Sequence, residues 1–343
     1  MIIRISRVRA GGELLAHDTI LRIGSKLHRG LRPLLGVNLV AGVTGSGKTL
    51  LAEALWLGVG HMLSSLLGGQ LRGALVGAAS ACGIRPIDAE VEICISGAEV
   101  PELGRKTCIK TEIVRGLESW TELPKDALVS DRLRRSLVYA LLHAVSIPDR
   151  VKWRVAHASR ALHRLLAAED LPRELCLAAA ALVPPVDAGR CTPCYMRMLG
   201  APGLRLEEEE DGHLYAAASS GEASHALFEA AYEFAYRLSK LAREEANVSI
   251  IPLVYIDDAF EGLDAAKIKS LLSRDYGGAS IYAATHRIEA GAHAARNLLL
   301  TYGTRASELA EQPPGFRFAL VDAALVEAHG EVFEDVSRRL LGP

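Results

Sequence analysis

The sequence is short of three things: net charge, long unbroken apolar runs, and the amide residues asparagine and glutamine. A formal charge of −2 over 343 residues gives no global basic field, so any nucleic-acid surface has to be a local patch. No apolar stretch reads as spanning a bilayer, for which roughly 18–20 residues are needed. The nearest, Leu50–Leu67, is interrupted by Glu53 and His61. Arg4, Arg7 and Arg9 have no apolar run behind them, so no signal peptide is read there. A soluble, cytoplasmic chain is the expectation. Arginine outnumbers lysine about threefold; with the scarce, thermolabile amides, this fits a thermophilic or GC-rich source.

What is present is a large apolar share. Half of the residues are hydrophobic, enough for one large core or two modest ones. Cys82, Cys94, Cys108 and Cys176 lie among apolar residues and are expected as buried small hydrophobes. Cys191 and Cys194 differ, because they form a Cys-x-x-Cys pair in a turn-rich stretch.

Element patterns point to an α/β chain. Met1–Ile5 and Thr19–Ile23 are expected to pair as first strands, and Val37–Val40 is a short apolar strand. Lys48 to about Leu67 reads as a helix apolar on most faces, hence buried, with Gly68 and Gly69 ending it. Glu90–Ile95 alternates as a half-buried strand does, and Thr107–Val114 could pair with it around Gly104. From about Lys125 to Val183 the pattern turns helical, with breaks near Pro148 and Pro172, until Pro184-Pro185 stops it. Glu207–Asp211 reads as a solvated loop or strand end. Ser220–Ala246 reads as a long helix, and Ile250–Ile256, Ile281–Ala284 and Leu298–Thr301 as strands.

Gly42-Val43-Thr44-Gly45-Ser46-Gly47-Lys48-Thr49 fits G-x-x-x-x-G-K-[ST], with an apolar strand before it and a helix after. The glycines let successive N–H groups turn toward phosphate oxygens. The helix adds its positive end, Lys48 a point charge for the β- and γ-phosphates, and Thr49 a hydroxyl for Mg²⁺. The ligand this chemistry fits best is ATP. Such a loop needs an acid at the end of a neighbouring strand. Leu253-Val254-Tyr255-Ile256-Asp257-Asp258 supplies Asp257 on the metal side and Asp258 to polarise water. His286, just past another strand, could bond a γ-phosphate or be an ordinary satisfied histidine.

The order of these elements resembles the ATP-binding-cassette ATPases, in the branch of chromosome-maintenance (SMC) and double-strand-break-repair ATPases. Gly36-Val37-Asn38-Leu39-Val40 is similar to the run that precedes that family's phosphate loop, and Leu51–Leu55 to the stretch just after its lysine. Asp257-Asp258 resembles the Walker B pair, Gly262-Leu263-Asp264 the D-loop and His286 the switch histidine. Ala218-Ser219-Ser220-Gly221-Glu222 resembles the signature motif. The resemblance implies a P-loop ATPase head with a mixed sheet and a helical insertion: a first lobe over 1–124, an insertion over 125–212 and a second lobe over 213–343. It also implies a homodimer in which one chain's Ser219, Ser220, Gly221 and Glu222 close on ATP held by the other's Gly42–Thr49. DNA and a nuclease or other repair partner are implied as well.

Four departures stand out. Thr44 replaces the usual Asn and Ser220 a Gly. Asp258 stands where a Glu is expected, one methylene shorter. No glutamine occurs between Gln70 and Gln312, so the Mg²⁺-sensing glutamine is missing or replaced. The last two put fast hydrolysis in question rather than binding. Cys191 and Cys194 sit where the repair branch carries a zinc hook, giving three readings: intermolecular Zn²⁺, a redox pair, or a structural turn. Two alternatives to the repair ATPase stay open. One is a transporter's nucleotide-binding subunit; the other is a scaffold that dimerises on ATP and hydrolyses it slowly.

Overall fold

The structure is a computed structural model that describes residues 1–10, 13–16, 19–22, 36–41, 47–68, 72–73, 75–76, 79, 84–116, 118–128, 130–148, 206–208, 214–216, 238–240, 242–273, 279–286, 297–302 and 317–322. The strands are β1 (Ile2–Ala10), β2 (Glu13–Ala16), β3 (Thr19–Arg22), β4 (Gly36–Ala41), β5 (Ile87–Ile95), β6 (Thr107–Val114), β7 (Glu118–Glu122), β8 (Ala144–Ile147), β9 (Leu206–Glu208), β10 (Leu214–Ala216), β11 (Leu253–Ile256), β12 (Ser280–Thr285), β13 (Asn297–Tyr302) and β14 (Arg317–Asp322). Three α-helices are described from end to end, α1 (Lys48–Leu67), α2 (Asp131–Leu142) and α3 (Ala265–Ser273), and residues 238–240 and 242–246 are also helical.

The first sheet is antiparallel, in the order β2-β1-β5-β6-β7, with β3 also on β1. Its sequence alternates as a one-sided sheet requires. Ile87, Ala89, Val91 and Ile93 are buried, while Asp88, Glu90 and Glu92 between them are partly exposed. On that outer face Arg4 meets Glu92 at 3.5 Å, Lys110 meets Glu90 at 3.1 Å, and Arg7 also pairs with Glu90. The expected pairings of the first strands, and of the hairpin around Gly104, are present. Cys94 is buried as expected, but its disulfide to Cys108, and the exposure of Cys108, depart from expectation. The two cysteines are opposite each other on β5 and β6 and form a disulfide. Even alternation puts Cys108 on the exposed face, so it is no buried hydrophobe.

The second sheet, β14-β13-β4-β12-β11-β8, is parallel from β13 to β8 with β14 antiparallel at one edge. The described residues of β8, β11 and β12 are buried throughout, as in parallel strands covered on both faces. β8 corrects the reading of 125–183 as helical with breaks near Pro148 and Pro172: within the described part only Asp131–Leu142 is an α-helix, and a strand precedes Pro148. Ala-Val-Ser-Ile is too short to show a period, and its β-branched members suit a strand. Strands β9 and β10 form a separate two-stranded pair. β9 ends inside the acidic run, as a strand end was expected to.

α1 lies between the sheets, touching β1, β5, β6 and β7 on one side and β8 and β12 on the other. It is long and apolar enough to cross a membrane, since Glu53 and His61 do not interrupt it by that measure, but it is a core helix here. Gly58 makes the close approach possible. A Cβ there would meet the Val91 side chain at 2.7 Å. Gly68, at φ 110°, ends the helix where glycine was expected to.

Candidate functional site

Parallel pairing aligns the carboxyl ends of neighbouring strands. Thr285 of β12 is level with Ala41 of β4, the residue before the phosphate loop, and Ile256 of β11 with Ala283 of β12. The strand ending in Asp257 is thus one strand removed from the loop's strand, with the His286 strand between. Ligands of open α/β sheets gather at this edge, where loops leave the strands.

Gly42–Ser46 lie outside the described residues, as do Ser219–Glu222, Cys191 and Cys194. The loop's last three positions are described. Gly47 sits at φ 93°, ψ 11°, a left-handed conformation that glycine adopts without strain, and N-caps α1 with no side-chain bond. The first turn of α1 carries no acid, so nothing on the helix itself neutralises its positive end. Lys48 and Thr49 are half-buried. Burial lowers the Lys48 pKa, and the nearby charges of Asp257 and Asp258 act in the opposite direction. The lysine and the two acids, 209 and 210 positions apart in sequence, share one electrostatic environment.

Asp257 is 1% exposed, its N–H bonded to the Ile147 carbonyl at 3.0 Å. One residue on, the chain leaves the sheet. Asp258 adopts φ 47°, rare outside glycine, and its N–H donates to Asp257 Oδ1 at 3.1 Å. Ala259 N–H then reaches the Ala284 carbonyl at 2.9 Å, tying the turn back to β12. The result is that the two carboxylates diverge. Asp257 stays inside, whereas Asp258 is partly exposed with its Oδ1 3.4 Å from Nδ1 of the exposed His286. These are the two side chains expected to handle the attacking water and the γ-phosphate. Asp264 accepts from the N–H of Lys267 at 2.7 Å, so it caps α3; Gly262, at φ 68°, turns the chain toward that cap. Capping is a complete local reason for Asp264, whatever else it contacts.

Tyr255 was not singled out in the sequence, although a phenol within an otherwise aliphatic strand is a visible signal. Its hydroxyl donates to the Lys48 carbonyl at 3.1 Å. Arg132 and Arg134 lie on the exposed face of α2. Arg132 bonds Glu102 at 3.0 Å and Arg134 bonds Asp131 at 2.5 Å, as on an ordinary solvated helix face.

Hard oxygen donors from Thr49 and Asp257 suit Mg²⁺, and the acids balance a half-buried lysine that suits phosphate. No protein-family model and no curated protein matches the sequence. Solved structures do match. The neighbours are SMC heads and RecF, ABC-type ATPases. An SMC head bound to the C-terminal winged-helix domain of ScpA is 12% identical, with 94% of this chain and 97% of that one covered at a TM-score of 0.44. The SMC head domain from Thermotoga maritima is 14% identical over 94% of this chain and 97% of its own, at 0.35. The recombination mediator RecF–ATPrS of the RecFOR pathway is 12% identical over 88% and 95%, at 0.36.

Proposed function

We propose that the chain binds Mg²⁺–ATP in the loop Gly42–Thr49 and hydrolyses it as an ATPase of the SMC and repair kind. The observation that carries this reading is the meeting of a complete phosphate-loop sequence with Asp257 and Asp258 around Lys48. Thr49 and Asp257 would hold Mg²⁺, Asp258 would polarise the attacking water, and His286 would face the γ-phosphate. Two chains would enclose two ATP molecules, each presenting Ser219, Ser220, Gly221 and Glu222 to its partner's nucleotide. The biological task would be DNA repair or genome maintenance in the cytoplasm, alongside DNA and a nuclease or similar protein. Zinc held by Cys191 and Cys194 belongs to the same proposal, and metal analysis finding no zinc with both thiols free would remove it.

Asp258 favours a second version of this reading. Its side chain is one methylene shorter than a glutamate and is drawn toward His286, so the water would be held less well and turnover would be slow. The test combines steady-state ATPase assays with light scattering. Wild type should turn over ATP, and Ser219→Arg should block ATP-dependent dimerisation without abolishing ATP binding. Dimerisation unaffected by Ser219→Arg would rule out the sandwich. Turnover unchanged in Asp258→Asn would remove that residue from catalysis.

A further inference from the structure

Two hydroxyls reach α1 from the sheet beside it. Tyr255 of β11 donates to the Lys48 carbonyl at 3.1 Å, and Ser146 of β8 donates to the Ala52 carbonyl at 2.9 Å. The carbonyls are four residues apart, so they lie one turn apart on one face of the helix. Tyr255 and Ser146 are register partners across β8 and β11. The two bonds are therefore rungs of one device, rooted in adjacent parallel strands and ending on consecutive turns of the same helix.

Packing alone does not require either hydroxyl. Tyr255 stands in Leu-Val-Tyr-Ile and Ser146 in Ala-Val-Ser-Ile, and every other member of both strands is apolar and buried. Burying a hydroxyl is unfavourable unless it is bonded. A helix carbonyl has a second lone pair to offer once the i+4 amide has used the first. What directional bonds add to an apolar interface is axial position, because apolar burial scales with area and has no direction.

The geometry points to a two-rung clamp in which Tyr255 and Ser146 fix the height of α1 along β11 and β8, holding Lys48 and Thr49 level with Asp257. The functional half rests on the proposed Mg²⁺–ATP site; the clamp itself does not. Tyr255 lies two residues before Asp257 on one strand and touches the residue next to Thr49. A shift of α1 along its axis would thus change the spacing between the residues proposed to share Mg²⁺. Both are positioning residues, touching neither nucleotide nor metal.

The test uses the full chain, with Tyr255→Phe and Ser146→Ala, and two readouts. Hydrogen exchange without nucleotide reports on the clamp. In Tyr255→Phe the amides of Leu51–Glu53 should exchange about threefold to tenfold faster, the loss expected from one net hydrogen bond. Amides of β5 and β6 should not change. Affinity for a fluorescent ATP analogue, measured with Mg²⁺ and with EDTA, reports on the role. The Mg²⁺-dependent gain in affinity should fall by a similar factor in Tyr255→Phe while affinity in EDTA stays within about twofold. Ser146→Ala, one turn further from Lys48, should act in the same direction and more weakly. Unchanged exchange would overturn the clamp. Equal losses with Mg²⁺ and with EDTA would overturn its positioning role. A wild type that binds no ATP would sink the site reading and that role together, leaving exchange to decide the clamp.

Discussion

The two sheets that enclose α1 are built on opposite plans. In the antiparallel sheet every strand from β5 to β7 alternates, with one face on α1 and the other carrying ion pairs, a disulfide and the exposed Trp120. Such a sheet is held by cross-strand partners along its whole length. In the parallel sheet β8, β11 and β12 are buried end to end. The residues proposed to carry chemistry lie only where the strands stop, at Asp257, Asp258 and His286. The comparison teaches that one half stabilises the helix from a solvated side, while the other sets its start beside the strand ends where the proposed site lies.

The largest effect that would test this division is on activity alone. Asp257→Asn should lower ATP turnover by roughly 100-fold or more and leave the melting of the antiparallel half unchanged. A matching collapse in stability would mean that Asp257 is structural.

Acid should weaken both halves. His61 of α1 bonds Ser119 of β7 at 2.9 Å, and His143 precedes β8 with its Nδ1 2.6 Å from the Tyr139 carbonyl. Burial pulls each imidazole down to a pKa of about 4, from an ordinary 6.5. The unfolded chain takes up these protons first, so their stabilisation is full above pH 6.5 and is lost as pH falls toward 4. Between about pH 7 and pH 5 each should cost about 2 kcal/mol. Denaturant melts over that range should show a steep fall, and replacing either histidine should remove about half of this contribution.

Next in size is the disulfide. Its partners are 14 residues apart. Reduction, or serine at both positions, should lower stability by about 3 kcal/mol on a loop-entropy basis and leave ATP affinity alone. A change in affinity would show that the two plans are coupled. Gly58→Ala should cost about 1–3 kcal/mol despite alanine's better helix propensity, because its Cβ meets Val91. A stabilised variant in chemical denaturation would show that α1 and β5 can move apart.

Legibility in the sequence tracked the same divide. Alternation revealed β5, apolar content and a hairpin partner suggested β6, and the phosphate-loop pattern marked the start of α1 to the residue. The run Leu253–Ile256 announced Asp257 because four apolar residues ending in acids are visible without any partner. β7 was missed because Glu-Ser-Trp-Thr-Glu alternates charged and aromatic residues outward over merely half-buried Ser119 and Thr121, leaving no apolar face to see. β8 was missed because it directly follows a helix, separated by His143 alone. The Cys94–Cys108 bond depends on strand register, which spacing alone does not define. The contact between Asp258 and His286 likewise needs a left-handed residue that no sequence pattern marks.

The central claim is that the helix shared by both sheets begins in a nucleotide site. Equilibrium binding of Mg²⁺–ATP to the full chain and to Lys48→Ala tests it most directly. Saturable binding by the wild type, weakened about tenfold or more without the Lys48 ammonium, is the expected result. Equal affinity in both proteins, or no binding by the wild type, would contradict it.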